Sequence, residues 1–236
     1  MISNKTILAV IPIKTQSRGF YEKSLRITCG RPLFHWSLLA AVKSKYIDLI
    51  IISSNNDKIK ESNDLFSVKK ENDLKSNKYK VPIYLERPND LFCEDEKIDE
   101  SLLYSINKLK ETGFHSDIVV TLNPLYPIRN NNLLDRCIER MLLEKSDSLI
   151  TALQLPKAFW QLNKDKTSIK NYKENDFIYI ENGNISIVNT NILEKYKTRI
   201  EGKVSTFITT KHQNIKIDSD DDFKMIDRFF EDSLPV

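Results

Sequence analysis

The chain has 236 residues, 40% of them hydrophobic and 29% charged, with a formal net charge of +3. That length and balance indicate one large globular α/β domain with a full core. They exclude the strongly basic surface by which nucleic-acid binders release counterions, and no run approaches the roughly 20 apolar residues of a membrane span. Cys29, Cys93 and Cys137 lie far apart with no CxxC pair, which argues against a disulfide framework or a zinc site. With no signal-peptide pattern at the N-terminus, the expected location is the cytoplasm.

The first element is the unbroken apolar run Ile7 to Ile13, which has the length and β-branched content of a strand buried on both faces. It stops abruptly in a basic, hydroxyl-bearing loop that carries Lys14, Ser17, Arg18, Gly19, Lys23 and Ser24. Such a loop at a strand C-terminus is suited to phosphate, and it could equally be a solvated basic loop. Those residues alone leave both open. Gly30-Arg31-Pro32-Leu33 leads into an amphipathic helix from about Leu33 to Lys45, with Pro32 suited to its first position. Ile47 to Ser53 is a second buried strand, and the polar string after it opens a helix.

Lys69 to Lys80 reads as an exposed loop, and Val81 to Leu85 as a short strand followed by Arg87-Pro88. Ile98 to Glu111 has helical period. Asp117 to Leu122 is a strand that empties into Asn123-Pro124-Leu125-Tyr126-Pro127-Ile128-Arg129. Leu133 to Leu143 reads as a helix and Ser148 to Leu153 as a strand. Strands alternating with helices of this length predict βαβ units and a mostly parallel sheet. From Leu155 to Asn182 the pattern changes to short pieces with Lys157, Phe159, Trp160, Tyr172, Phe177 and Tyr179, which suggest a protruding hairpin or dimerisation arm. Gly183 to Val188 returns to strand character. His212 to Ile217 reads as a last strand, before Ser219 or Asp220 caps a closing helix through Phe229 and Phe230.

Seven short signatures, in order along nearly the whole chain, resemble the cytidylyltransferases that make CMP-sugars from acylneuraminate and related nonulosonic acids. The opening one, approximately I-P-A-R-x-x-S-K-G-x-x-x-K-N, is matched without gaps from Ile11 to Ser24. G-K-P-L appears as Gly30-Arg31-Pro32-Leu33, S-T-D-D as Ser53-Ser54-Asn55-Asn56, and R-P-x-E-L as Arg87-Pro88-Asn89-Asp90-Leu91. Q-P-T-S-P-L-R corresponds to the run from Asn123 to Arg129. N-G-A-I-Y-I corresponds to Asn182 through Ile187, and D-I-D-T-E-E-D-F to Lys216 through Phe223.

The resemblance implies a single Rossmann-like nucleotidyltransferase domain with a small dimerisation arm at 155–182, acting as a homodimer. It implies an enzyme that condenses CTP with an acidic 2-keto sugar, for surface polysaccharide synthesis, with no nucleic acid or membrane as partner. Such chemistry needs fixed cations around the triphosphate, because charge repels the nucleophile and accumulates on the leaving group. By the same resemblance Lys14, Arg18 and Lys23 grip the triphosphate and Ser17 donates to it. Ser24, Ser53 and Arg87 lie towards the cytidine. Asn123, Arg129, Lys157 and Asn182 lie towards the sugar, and Asp218 is the carboxylate for Mg²⁺.

The departures cluster on the metal and sugar sides. Lys216 stands where the family has its first metal Asp, and if this stretch is a strand it shares a face with Asp218. Leu125-Tyr126 replaces Thr-Ser, Asn123 replaces Gln, and Ser186 replaces Tyr. A second reading follows from Lys216: a non-catalytic nucleotide-binding homologue, acting as a regulatory or assembly subunit. His35, His115 and His212 are dispersed and read as structural. Cys29 reads as core packing.

Overall fold

The computed structural model describes residues 4–13, 16–17, 20–21, 23–68, 81–88, 98–129, 132–155, 160–162, 169–171 and 178–233. The chain opens with β1 (Ile7–Pro12), whose six residues are all buried. Two small ribbons follow, β2 (Gln16–Ser17) with β3 (Phe20–Tyr21), then β4 (Ile27–Thr28) with β5 (Arg31–Pro32). Next come α1 (Phe34–Lys43), β6 (Leu49–Ser54), α2 (Asp57–Val68), β7 (Ile83–Glu86), α3 (Ile98–Glu111), β8 (Ile118–Leu122), α4 (Leu133–Glu144) and β9 (Ser148–Gln154). A hairpin of β10 (Trp160–Leu162) and β11 (Ile169–Asn171) precedes the long β12 (Tyr179–Asn189). The chain closes with α5 (Thr190–Tyr196), β13 (Val204–Ile208) and α6 (Asp220–Ser233).

Seven strands form one sheet in the order β13-β9-β12-β8-β1-β6-β7. β1 pairs in parallel with both β6 and β8, β6 with β7, and β9 with β13, while β12 runs antiparallel to β8 and β9. The mostly parallel α/β sheet expected from the sequence is therefore present. Its central strands are buried runs because helices cover both faces. Phe34, Leu38 and Ala41 of α1, with Leu134, Cys137 and Ile138 of α4, pack on one side. Leu102, Ile106 and Leu109 of α3, with Leu193 of α5, pack on the other. A satellite cluster of Leu33, Ile128, Ile217, Phe223 and Ile226 seats α6. No helix among the described residues is long and apolar enough to cross a membrane.

Three expectations change. Pro32 does not open the helix; it pairs with Ile27 in the β4–β5 ribbon, whose turn uses positive φ at Cys29 and Gly30. Cys29 is accordingly a half-buried turn residue, its Sγ 3.5 Å from Asp227 Oδ1, rather than part of the core. His212 to Ile217 is not a strand. It begins with a 3-10 turn, His212–Asn214, because Gln213 accepts from Thr210 N (2.9 Å) and Asn214 donates to Thr210 O (2.6 Å). The last strand of the sheet is instead β13, at the edge beside β9.

Candidate active site

The chain runs outward from β1 through β6 to β7, then returns to lay β8 on the other side of β1. That reversal makes a switch point between β1 and β8, and open α/β sheets bind ligands in the crevice beyond the strand C-termini at such a point. Onto this edge open Ile13 after β1, Ser53 near the end of β6, Arg87 after β7, the 123–129 loop, the start of β12, and the 209–218 segment.

On the nucleotide side, Lys23 and Ser24 sit in a 3-10 turn and are buried. Ser53 closes β6 with its carbonyl accepting from Ile13 N (2.9 Å). Its side chain is fully buried, and its Oγ has no partner among the described residues. Such a hydroxyl is a donor and acceptor in reserve. Arg87 braces this corner. Its backbone N donates to Ser54 O (3.0 Å), Nη2 donates to Ile13 O (3.1 Å), and Nη1 donates to Ser101 Oγ of α3. Burial pushes its pKa down to about 10. Ser17 lies on β2, of which only the backbone is described; Lys14 and Arg18 lie outside the described residues.

On the other side, Asn123 Oδ1 accepts from Leu125 N (3.0 Å) and closes a local turn. Arg129 is spent inward. Nη1 donates to Ser37 Oγ (2.8 Å) and Tyr126 O (2.5 Å), and Nη2 donates to Asn123 O (2.7 Å) and Asn184 O (3.3 Å). Burial lowers its pKa to about 9. Arg129 thus braces the loop it ends.

Asn182 is a hub at a β-bulge, where the β9–β12 register shifts between Glu181 and Ser186 and Gly183 takes φ +69°. Its Oδ1 accepts from Thr151 Oγ1 (2.6 Å) and Asn184 N (3.0 Å), and its Nδ2 donates to Thr209 Oγ1 (2.8 Å) and to Asn214 Oδ1. Its carbonyl accepts from the Tyr126 hydroxyl. Burial, with the Asp218 charge adding to it, pushes the Tyr126 pKa up to about 12. Lys157 lies outside the described residues. Sequence reasoning missed Asn184, Thr151, Thr209 and Asn214 as members of this network; the Asn-Gly-Asn run was the one signal for the bulge.

Asp218 lies between two ammonium groups, with Lys216 Nζ 3.0 Å from Oδ2 and Lys23 Nζ 3.5 Å from Oδ1. Its neighbours are engaged elsewhere. Asp222 accepts from Asp218 N (2.9 Å), Ser219 N (2.7 Å) and Ser219 Oγ (2.8 Å), and so caps α6. Burial works against its ionisation, but these donors outweigh it and hold its pKa below the ordinary value. Asp220 pairs with Arg26, and Asp221 with Lys224. Among the described residues no group of three or more His, Cys, Asp or Glu could hold a metal. These described residues do not by themselves fit a resident ion, because the Asp218 carboxylate already carries two ammonium partners and Asp222 is spent on the α6 cap.

This fold, with its crevice at the β1–β8 switch point, is shared with solved synthetases. Residues 8–70 match the sequence model of the family described as cytidylyltransferase. The chain is 22% identical to a CMP-N,N'-diacetyllegionaminic acid synthase of Legionella pneumophila subsp. pneumophila (strain Philadelphia 1), over 95% of this chain and 96% of that protein. Among solved structures it resembles a CMP:2-keto-3-deoxy-manno-octonic acid synthetase complexed with CTP, at TM-score 0.71 and 12% identity over 98% of this chain and 100% of that one. It also resembles a 4-diphosphocytidyl-2C-methyl-D-erythritol synthase from Anaerococcus prevotii DSM 20548, at TM-score 0.65 and 16% identity over 96% and 99% of the two chains. The chain is thus similar to cytidylyltransferases in sequence over residues 8–70 and in fold over nearly its whole length.

Proposed function

We propose that this protein condenses CTP with an acidic 2-keto sugar of the sialic-acid type. The anomeric hydroxyl oxygen bonds to the α-phosphorus and the bond from that phosphorus to the β-bridging oxygen breaks. Pyrophosphate leaves, the hydroxyl proton passes to water, and a CMP-sugar for surface polysaccharide results. The observation that supports this reading is the end-to-end likeness to the diacetyllegionaminic acid enzyme, together with Ser53, Arg87, the 123–129 loop, the start of β12 and the 216–218 segment lying at one sheet edge.

In this reading Lys14, Ser17, Arg18 and Lys23 hold the triphosphate, and Ser24, Ser53 and Arg87 form the cytidine side. Asn123, Asn182 and Lys157 face the sugar, with Arg129 fixing the loop between them. Mg²⁺ enters as the counter-ion of CTP, near Asp218. The protein works as a homodimer whose arm meets the second copy; Tyr179 and Ile180, 46% and 48% exposed at the arm's return into the sheet, support that surface.

The specific observation favouring a second reading is Lys216. A chain that kept the fold and lost turnover would be a nucleotide-binding subunit. The deciding assay is pyrophosphate release with each of the four NTPs against a panel of 2-keto acid sugars. Turnover with CTP and a nonulosonate is expected. Turnover only with a neutral alcohol acceptor refutes the sugar class, and no turnover together with tight CTP binding installs the second reading.

A further inference from the structure

Around Asp218 the two ammonium groups are met by Asp218 itself and by Asp222, whose carboxylate feels the Lys23 charge, so these four positions balance. With a carboxylate at position 216 the same four positions would carry two net negative charges, and a single divalent cation would be needed to restore the balance. Lys216 thus brings by covalent attachment the charge that an ion would otherwise bring. Lys23 is buried in its 3-10 turn, whereas the Lys216 side chain is 41% exposed and only its backbone is seated, where Ile217 N donates to Leu125 O (2.9 Å). Asp218 stands between them as the anion that keeps two like charges close together. Its backbone N donates to Asp222 Oδ2 (2.9 Å).

We propose that Lys23, Asp218 and Lys216 form a built-in cation clamp for the CTP triphosphate, with Asp218 the positioning residue and Lys216 the stand-in for a protein-bound divalent ion. CTP binding by this protein is then largely independent of Mg²⁺. The inference rests on the reading of this edge as the triphosphate site, and the test separates the two.

CTP binding to the full chain is measured by titration calorimetry, in EDTA and in excess Mg²⁺, for the wild type and for Lys216→Asp. Unliganded melting temperatures check that the variant folds. The wild type is expected to bind with a Kd in EDTA within about threefold of that in Mg²⁺, whereas Lys216→Asp loses about tenfold or more in EDTA and recovers in Mg²⁺. Wild-type binding that needs Mg²⁺, or a Lys216→Asp profile that matches the wild type, overturns the clamp and leaves the nucleotide reading standing. An absence of CTP binding in both buffers overturns the nucleotide reading itself.

Discussion

His35 gives the structure a pH dependence that can be worked out in advance. It lies on the sheet-facing side of α1, is 8% exposed, and has Nε2 3.2 Å from Ser62 Oγ of α2. Burial disfavours the imidazolium, the Arg31 guanidinium adds a like charge, and the hydrogen bond with Ser62 opposes both less strongly, so the pKa falls to about 4. In the unfolded chain the same group titrates near about 6.5. Between those values the unfolded state takes up a proton that the folded state refuses. Stability is therefore full above about pH 6.5 and is lost as pH falls towards about 4. The whole window corresponds to roughly 3 kcal/mol, of which about 2.5 kcal/mol is lost by about pH 4.5. Urea unfolding of the wild type and of His35→Gln at about pH 7.5 and about pH 4.5 isolates this share, since carboxylate titrations cancel in the difference. The wild type should lose about 2–3 kcal/mol more than the variant across that interval. Equal losses would refute a buried neutral imidazole.

Tyr126→Phe removes the hydroxyl that donates to the Asn182 carbonyl. It should cost about 1 kcal/mol of stability and raise the KM for the acidic sugar while CTP affinity holds; an unchanged sugar KM would separate this bond from the sugar side. For the arm, the wild type should elute as a dimer at micromolar concentration and Trp160→Asp should weaken it. A wild-type monomer would remove the arm interface.

The parts of the fold legible in the sequence are those whose burial is symmetric. β1 and β8 are covered on both faces, so each is an unbroken apolar run that names itself. β13 was not legible. At the sheet edge it alternates exposed and buried over Val204–Ile208, and five such residues among lysines and threonines read as loop. α5, at seven residues, is too short to display a period. Of the signature segments, those at Ser53, Arg87, 123–129 and 216–218 end at one edge of the sheet, because chain order and strand ends decide that. They could not show that Arg129 turns inward, since its four acceptors come from Ser37, Asn123, Tyr126 and Asn184, which no local pattern connects. The Lys216–Asp218 contact was anticipated from strand geometry, yet it arises without a strand, in the segment between the 3-10 turn and α6.

The two sharpest departures from the family pattern, at 125–126 and at 216, meet in space. Leu125 packs beside Ile217 in the cluster that seats α6, and its carbonyl accepts the Ile217 amide between Lys216 and Asp218. Tyr126, next in the chain, is 5% exposed and ties the same loop to the bulge at Asn182. One loop therefore contacts both the backbone beside Lys216 and the hub at Asn182. A smaller polar pair at 125–126 would give up the apolar contact beside Ile217 and the hydroxyl bond to Asn182, while the main-chain bond from Ile217 N to the carbonyl at 125 would remain available. Positions 125–126 and 216–218 are thus parts of one packed unit, joined by the Ile217–Leu125 bond and the apolar contact beside it.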